Sequence, residues 1–460
     1  MLLRKGSSPL IDDREGLLQQ LKDLLLENRK EEIASLLSEH QPADIAEILT
    51  ELETPERSSI FKLLSYDTAA TVLELLEESV VFTLVETLNP GYLAQVIDEM
   101  PVDDAADLLG NLPSKNRDIF LDLLEEEYAG EVQELLEYDV ECAGGIMTTE
   151  YVAIRQDITA GRAIDVLRET APEAETVYYV YVIDDKNKLV GVITLRELIV
   201  ANPNTLIEDI MNRSVISVTA DTDQEEVARV VSKYDFLAIP VVDRENSLLG
   251  IITVDDIIDV IYEEASEDFV LLGGSSELTE QEQASLTKNL QARMPWLFIT
   301  LLEGLIAGAV LRGLERELSA VVALAFFIPL LTGMGGNVGT QSATIAVRGL
   351  AVGQIDTEDV ARVAFRETLT GVMLGIINGL IIAFVAGFWQ QSFVLGLIVG
   401  LSMLGNMTTA ALMGTLVPIG FKKIGVDPAV ASAPFITASI DITGLIIYSS
   451  LARLLIGYLL

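Results

Sequence analysis

One carboxylate stands out for what surrounds it. Asp441 sits in Pro434-Phe-Ile-Thr437-Ala-Ser-Ile-Asp441-Ile-Thr-Gly444, inside an apolar run long enough to cross a bilayer. A charge at that depth costs about 3 kcal/mol or more, so it is retained where it has something to meet. No basic residue lies at comparable depth in the sequence, which leaves a cation as the natural counter-charge. Thr437 lies one turn earlier on the same helical face. A second acid, Glu303, falls inside another apolar run, where it either lines the same route or hydrogen-bonds Ser or Thr across helices. A third feature is Pro329-Leu-Leu-Thr-Gly-Met-Gly-Gly336-Asn337-Val-Gly-Thr-Gln341. Glycines and a proline at this density are expected to interrupt a helix, and irregular backbone at depth is tolerated only against protein or a water-filled cavity. Freed carbonyls and the side chains of Asn337 and Gln341 would then line a cation route. The competing reading is close packing of small residues between helices.

Carboxylates also dominate the rest of the chain. Residues 289–460 hold nine acids and nine bases, so the whole formal net charge of −40 falls in residues 1–288. Such a surface repels nucleic acid and anionic lipid and attracts cations. Asp255, Asp256, Asp259, Glu263, Glu264, Glu267 and Asp268 crowd residues 255–268, where like charges sharing a helical face destabilise it unless something neutralises them. The plainer alternative is a solvated acidic helix. Carboxylates suit hard divalent cations such as magnesium, calcium or manganese. A single Cys142 rules out an internal disulfide, and with only His40 beside it there is no Cys/His zinc set.

These groups need elements to carry them. Residues 318–347 and 368–421 are free of charge, and about 20 apolar residues span a bilayer core. Five spans are expected, near 294–312, 318–345, 363–387, 393–417 and 429–458. Arg348, Arg362 and Arg366 flank the second-to-third loop, and Lys422 and Lys423 lie in the fourth-to-fifth loop. Positive loops stay cytoplasmic, which puts the acidic N-terminal half in the cytosol and the C-terminus on the opposite side of the cell inner (plasma) membrane. Arg312 and Arg316 in the first outer loop run against this, though Glu315 and Glu317 accompany them. The N-terminal segment MLLRKGSSPLIDDREG lacks an apolar run long enough for a signal peptide.

The soluble half reads as two kinds of repeat. Residues 10–138 show Leu and Ile at helical spacing with breaks at Pro42, Pro55, Pro90, Pro101 and Pro113. Asp44-Ile-Ala46-Glu47…Arg57 is echoed sixty residues on by Asp104-Ala-Ala106-Asp107…Arg117, which suggests stacked helical hairpins in a superhelix. Farther on, Gly145-Ile-Met147-Thr is echoed by Asp209-Ile-Met211-Asn. Tyr181-Val-Ile-Asp184…Leu189-Val-Gly191-Val-Ile-Thr194 is echoed by Pro240-Val-Val-Asp243…Leu248-Leu-Gly250-Ile-Ile-Thr253. Each copy reads as strand, polar turn, strand, helix. This tandem resembles a pair of cystathionine-β-synthase-type (CBS) domains. Such pairs often bind adenine nucleotides, with Thr or Ser three residues before an Asp at the start of the last helix. Thr253-Val-Asp255-Asp256 fits that pattern, whereas Thr194-Leu-Arg196-Glu197 carries Glu instead. ATP is therefore a candidate ligand, with Arg196, Thr253 and Asp256 as its candidate contacts.

The order of parts is a helical superhelix over 1–139, the CBS pair over 140–262, an acidic linking (plug) helix and linker over 263–290, and a five-helix transmembrane pore domain over 291–460. Together with Gly335-Gly336-Asn337-Val-Gly339-Thr-Gln341, Asp427-Pro428-Ala429 and Thr437…Asp441, it resembles the MgtE family of bacterial magnesium channels and transporters over nearly the whole chain. The fold this implies is multidomain: an all-α superhelical N-domain, an α/β tandem CBS pair and an α-helical membrane domain. The resemblance implies a homodimer in membrane lipid, with the fifth helices at the pore axis and Asp441 as the ion-selective carboxylate. It implies pore-lining roles for Gly336, Asn337, Gln341 and Thr437. It further implies regulatory Mg2+ sites, with Asp103 and Asp107 facing Asp256 and Asp259, with Glu225 and Asp235 as further regulatory carboxylates, and with Glu264, Glu267 and Asp268 approaching Asp427. On this reading the chain carries Mg2+ inward and is closed by cytosolic Mg2+.

A transporter of Mn2+ or Co2+ would use the same carboxylates. A CBS-regulated anion channel would need basic residues or helix N-termini along its path, and the charges deep in the apolar runs are acidic. A membrane-anchored sensor would leave Asp441 unexplained. An enzyme is not expected, since no segment remains for a catalytic domain and no Gly-x-x-x-x-Gly-Lys-Ser/Thr loop occurs.

Overall fold

The computed structural model describes residues 9–170, 174, 176–276, 285–355, 360–431 and 433–458. The start of the N-terminal segment and residues 277–284 of the linker lie outside the described residues. The chain forms two compact units, Met1–Val260 and Ile261–Leu460.

The first unit opens with ten short helices: α1 (Pro9–Leu26), α2 (Lys30–Leu37), α3 (Pro42–Glu51), α4 (Thr54–Phe61), α5 (Tyr66–Glu74), α6 (Glu78–Thr87), α7 (Pro90–Ile97), α8 (Val102–Asn111), α9 (Ser114–Leu121) and α10 (Glu126–Leu135). From α3 onward they begin at residues 42, 54, 66, 78, 90, 102, 114 and 126, one every 12 residues. The sixty-residue echo seen in the sequence is five of these steps. The step is written by an apolar residue just past each helix: Leu52, Leu64, Leu76, Leu88, Met100, Leu112, Leu124 and Leu136. Caps and N-terminal prolines cut the helices short. Ser65 accepts from the amide of Thr68, Asn89 from Gly91 and Tyr92, and Pro42 and Pro90 each open a helix. Arg57 is buried, and its guanidinium donates to the carbonyls of Leu49, Thr50 and Leu52 at the end of α3. Tyr92 donates to the carbonyl of Phe61, and Tyr128 to those of Ile97 and Met100, tying each hairpin to the one before.

Two α/β repeats follow. The first holds β1 (Ala153–Arg155), α11 (Ala160–Thr170), β2 (Tyr179–Ile183), β3 (Leu189–Thr194) and α12 (Leu195–Val200). The second holds α13 (Ile207–Ile210), β4 (Val218–Thr219), α14 (Gln224–Tyr234), β5 (Ala238–Val242), β6 (Leu248–Thr253) and α15 (Val254–Leu272). Each sheet has the order parallel pair then antiparallel pair, β1-β2-β3 and β4-β5-β6. The equivalent hairpin turns carry Asn187 at φ 61° and Asn246 at φ 67°, the left-handed region that asparagine tolerates. The Met echoes have a structural use. Thr148 bridges to Ile251 and Asn212 to Val192, so the Met147 segment pairs with the second repeat and the Met211 segment with the first. A methyl at Gly250 would come within 2.6 Å of the Thr148 carbonyl, so that crossing requires glycine.

Among its described residues the second unit contains five helices long and apolar enough to cross a membrane: Leu286–Arg312, Val322–Ala351, Val360–Trp389, Phe393–Lys423 and Ala433–Leu455. We call them the first to fifth spans. Their number agrees with the sequence reading, and several ends do not. The first begins eight residues earlier than expected, and a separate short helix, Glu315–Ala320, precedes the second. The third and fourth spans mesh through glycine. Methyls at Gly375 and Gly379 would meet the backbone of Leu404 and Gly400 at 2.9 and 2.7 Å.

The expected interruption at Pro329–Gln341 is not there. Ile328–Ala351 is one continuous α-helix, with Pro329 in its first turn, where a missing amide costs nothing. The irregular backbone lies earlier, as a 3-10 turn over Val322–Phe327. The glycines serve packing instead: Gly335 abuts Asn406, Gly336 abuts Thr437 and Gly339 abuts Ile440.

Candidate cation sites

In the membrane unit, helix contacts place Asp441 half-buried in the fifth span, with Oδ1 shielded and without a hydrogen-bond partner among the described residues. The second span lies against the same helix. Gly336 packs on Thr437, and the hydroxyls of Thr340 and Thr437 are 3.3 Å apart. Asn337 and Gln341 point away from this contact and are exposed. Glu303 comes from the first span. Its Oε1 accepts from Ser439 at 3.4 Å, and its Oε2 is shielded and unpartnered among the described residues. Of the two readings offered for Glu303, the structure displays the hydrogen bond to a serine of another helix.

The soluble unit gathers a second set. Asp103, on α8, is 5% exposed, and its Oδ1 has no partner among the described residues. Asp103 and Asp104 of α8, Glu74 of α5 and Asp255, Asp256 and Asp259 of α15 act on one another electrostatically. Burial, then Asp103, Glu74, Asp256 and Asp107, push Asp104 up to about 9. Burial pushes Asp256 up to about 7, with Asp103 and Asp255 adding to it and a Thr253 hydrogen bond opposing it. Asp103 is raised chiefly by burial, and Glu74 by partial desolvation and by Asp103, Asp255 and Asp259. Crowded acids of this kind hold protons tightly unless a cation replaces them. Among the described residues no three His, Cys, Asp or Glu side chains stand ready as a formed ligand set.

The remaining expected ligands are spread out. Glu225 and Asp235 stand at opposite ends of α14, ten residues and about 15 Å of helix apart, so they do not share one ion. Asp235 ends that helix in the left-handed conformation. Glu264, Glu267 and Asp268 lie on α15. Asp427 accepts from the amide of Ala429 at 2.8 Å and caps the turn leading to the fifth span. Just past α15, Gly274 stands at φ +75°, and a methyl there would come within 2.7 Å of Pro434 at the start of the fifth span. For nucleotide, Arg196 is exposed in the first turn of α12, while Thr253 donates to Asp256 at 2.7 Å as a helix cap. Thr194 and Glu197 make the equivalent capping box in the first repeat.

Sequence reading passed over Glu74, Asp104 and Asn406. Asp104 adjoins Asp103, whereas Glu74 ends α5, three helices before α8, and nothing in the 12-residue period marks it as a neighbour of those acids. Asn406 is an amide in a long uncharged run, a signal of interhelical bonding.

Comparison with known proteins agrees with this architecture. The family model for divalent cation transporters of the MgtE type matches residues 328–451. The MgtE intracellular N domain matches 40–141, and CBS domains match 143–203 and 207–263. The chain is 46% identical over 332 residues to the magnesium transporter MgtE of Enterococcus faecalis, covering 72% of this chain and 73% of that one. It is 43% identical over 361 residues to the magnesium transporter MgtE of Thermus thermophilus, covering 77% and 80%. The soluble part of a magnesium transporter superposes with a TM-score of 0.51 at 42% identity, covering 55% of this chain and 99% of that one. The cytosolic domain of the Mg2+ channel MgtE in complex with ATP superposes with a TM-score of 0.51 at 41% identity, covering 53% and 99%. These relatives are transporters, not enzymes, and the chain belongs to the MgtE family of magnesium transporters.

Proposed function

We propose that this chain forms a homodimeric Mg2+ influx channel of the cell inner membrane, closed from the cytosol by the ion it conducts. The observation that carries the proposal is Asp441, a carboxylate in the fifth span whose shielded Oδ1 has no hydrogen-bond partner among the described residues. Magnesium sheds water reluctantly and prefers octahedral oxygen. Two copies of Asp441 about a twofold axis would hold the hydrated ion through its waters. A divalent ion moving down a negative-inside potential gains about 4.6 kcal/mol per 100 mV, so no coupled fuel is needed.

The dimer is supported by polar surface that a single copy leaves facing lipid. Asn337, Gln341, Thr344 and Arg348 form an exposed stripe along the second span. A second copy would cover it and turn Asn337 and Gln341 toward the ion path. The basic loops support a cytosolic N-terminal half and an extracytoplasmic C-terminus.

Closure would be electrostatic. Without Mg2+, Glu74, Asp103, Asp104, Asp107, Asp256 and Asp259 repel; with it, α8 and α15 are bridged. Glu225 and Asp235 would hold separate ions. Glu264, Glu267 and Asp268 with Asp427 would hold the linking helix over the inner mouth, a reading supported by the seating of Gly274 on Pro434. The relative crystallised with ATP supports adenine-nucleotide binding by the cytosolic half, and Arg196, Thr253 and Asp256 are the contacts proposed for it.

Flux into proteoliposomes with Mg2+, Mn2+ and Co2+ in turn tests the reading. Asp441→Ala should abolish Mg2+ entry while the dimer still assembles. Wild-type flux through the folded variant would defeat the pore assignment, and equal flux of the three ions would defeat magnesium selectivity.

A further inference from the structure

We infer that Asn406 is a positioning residue of the conduction path, a side-chain amide that clamps the second span to the fifth and so fixes where Asp441 stands. The inference rests on the reading of Asp441 as the pore carboxylate.

Asn406 lies in the fourth span and is 1% exposed. Its polar neighbours on that helix satisfy themselves locally. Ser402, Thr408, Thr409 and Thr415 each donate to the carbonyl four residues earlier in the same helix. Asn406 does not. Its Nδ2 donates to the carbonyl of Leu331, in the second span, at 2.6 Å. The glycines on either side of it are what let it reach. A methyl at Gly335 would come within 2.4 Å of Nδ2, and a methyl at Gly444, in the fifth span, within 2.6 Å of Oδ1.

That second distance gives Oδ1 a role. It is buried and has no conventional donor among the described residues. The Gly444 hydrogen that a methyl would replace lies on the side of Gly444 that faces it. A Cα–H···O contact of this kind recurs where membrane helices approach closely. One amide therefore holds the second span by its nitrogen and the fifth by its oxygen. Gly444 is one turn beyond Asp441, and Leu331 is in the turn before Gly335 and Gly336, the residues that meet Asn406 and Thr437. The hydroxyl pair of Thr340 and Thr437 is a second polar tie between the second and fifth spans, longer at 3.3 Å, whereas Gly339 on Ile440 and Gly414 on Gly339 are non-directional and resist sliding less than an amide does. Asn406 is sealed from solvent, so it acts through the helices it holds and not on the ion.

The test uses the full chain in proteoliposomes and compares Mg2+ with Mn2+ flux. Asn406→Ala should lower Mg2+ flux about 10-fold or more and change the Mg2+ to Mn2+ ratio, because a small displacement of a functional group is costly. A purely structural role would reduce the yield of folded dimer and leave that ratio alone. Gly444→Ala should also impair flux by driving a methyl against Oδ1. The double variant Asn406→Ala/Gly444→Ala should conduct better than Gly444→Ala alone, since removing the amide makes room for the methyl. An unchanged ion ratio in folded Asn406→Ala overturns the inference, as does a double variant no better than Gly444→Ala. If Asn406→Ala yields no dimer, Asn406→Ser is measured in its place by the same criteria. Failure of the pore reading shows itself separately, as flux surviving in Asp441→Ala.

Discussion

The hydroxyl of Thr253 donates to Oδ2 of Asp256 at 2.7 Å, and the Thr253 amide reaches the same oxygen at 3.3 Å. This pair closes the end of β6 onto the start of α15, and the same carboxylate belongs to the acidic set shared with α8. Asp256 is thus a helix cap, a candidate magnesium ligand and a candidate ribose contact at once. Any ligand taken up there acts on the joint between the N-terminal helices and the second repeat.

The acidic set makes the soluble half sensitive to pH in a stated direction. Asp256 at about 7 and Asp104 at about 9 bind protons more tightly folded than unfolded. Their contribution favours folding at low pH and is lost as pH rises from the ordinary carboxylate range, about 4, through those values. In chelator, the thermal midpoint of the soluble half should therefore fall by a few °C between pH 5 and pH 8, and millimolar Mg2+ should restore it. A midpoint that rises over this range in chelator contradicts the assignment.

Neutralising the acids should uncouple sensing from conduction. Replacing Asp256, Asp259, Glu264 and Glu267 together by their amides should alter the Mg2+ dependence of protease cleavage within residues 255–290. In the unaltered chain, cleavage there should slow as Mg2+ rises through the millimolar range. An identical dependence in the variant would remove these side chains from the sensor.

Deleting residues 1–138 should weaken closure and leave conduction intact, because Glu74, Asp103, Asp104 and Asp107 go with them. The measurement is Mg2+ flux against internal Mg2+. If the truncated protein shuts at the same concentration as the full chain, the helical domain has no part in gating.

Nucleotide binding is read by calorimetry with ATP on the full chain and on Arg196→Ala and Thr253→Ala. Heat in the full chain that is lost in either variant places the nucleotide as proposed. Heat unchanged in both variants places it elsewhere, and no heat at millimolar ATP dismisses it.

Packing of the third and fourth spans should be intolerant of bulk. Gly379→Val drives side-chain carbon into the Gly400 carbonyl and is expected to destabilise the membrane unit by about 1–3 kcal/mol. Thermal unfolding in detergent measures this, and a midpoint equal to that of the unaltered chain would show that the helices part freely.

By itself the sequence determined the order of parts, the five apolar helices, the paired α/β repeats and the isolation of Asp441. Each of these follows from local pattern: hydropathy over about 20 residues, strand and turn alternation, and a lone charge in an apolar run. Tertiary structure decided what the small and polar residues do. The run Gly335-Gly336…Gly339 reads the same whether a helix breaks or packs, and only the presence of Asn406, Thr437 and Ile440 across the interface selects packing. Likewise Glu74, Asp103, Asp104 and Asp256 are ordinary surface acids in one dimension. They become a cation-attracting set because the 12-residue helical step carries α5 and α8 to the same joint with α15, where burial leaves their charges in the least water.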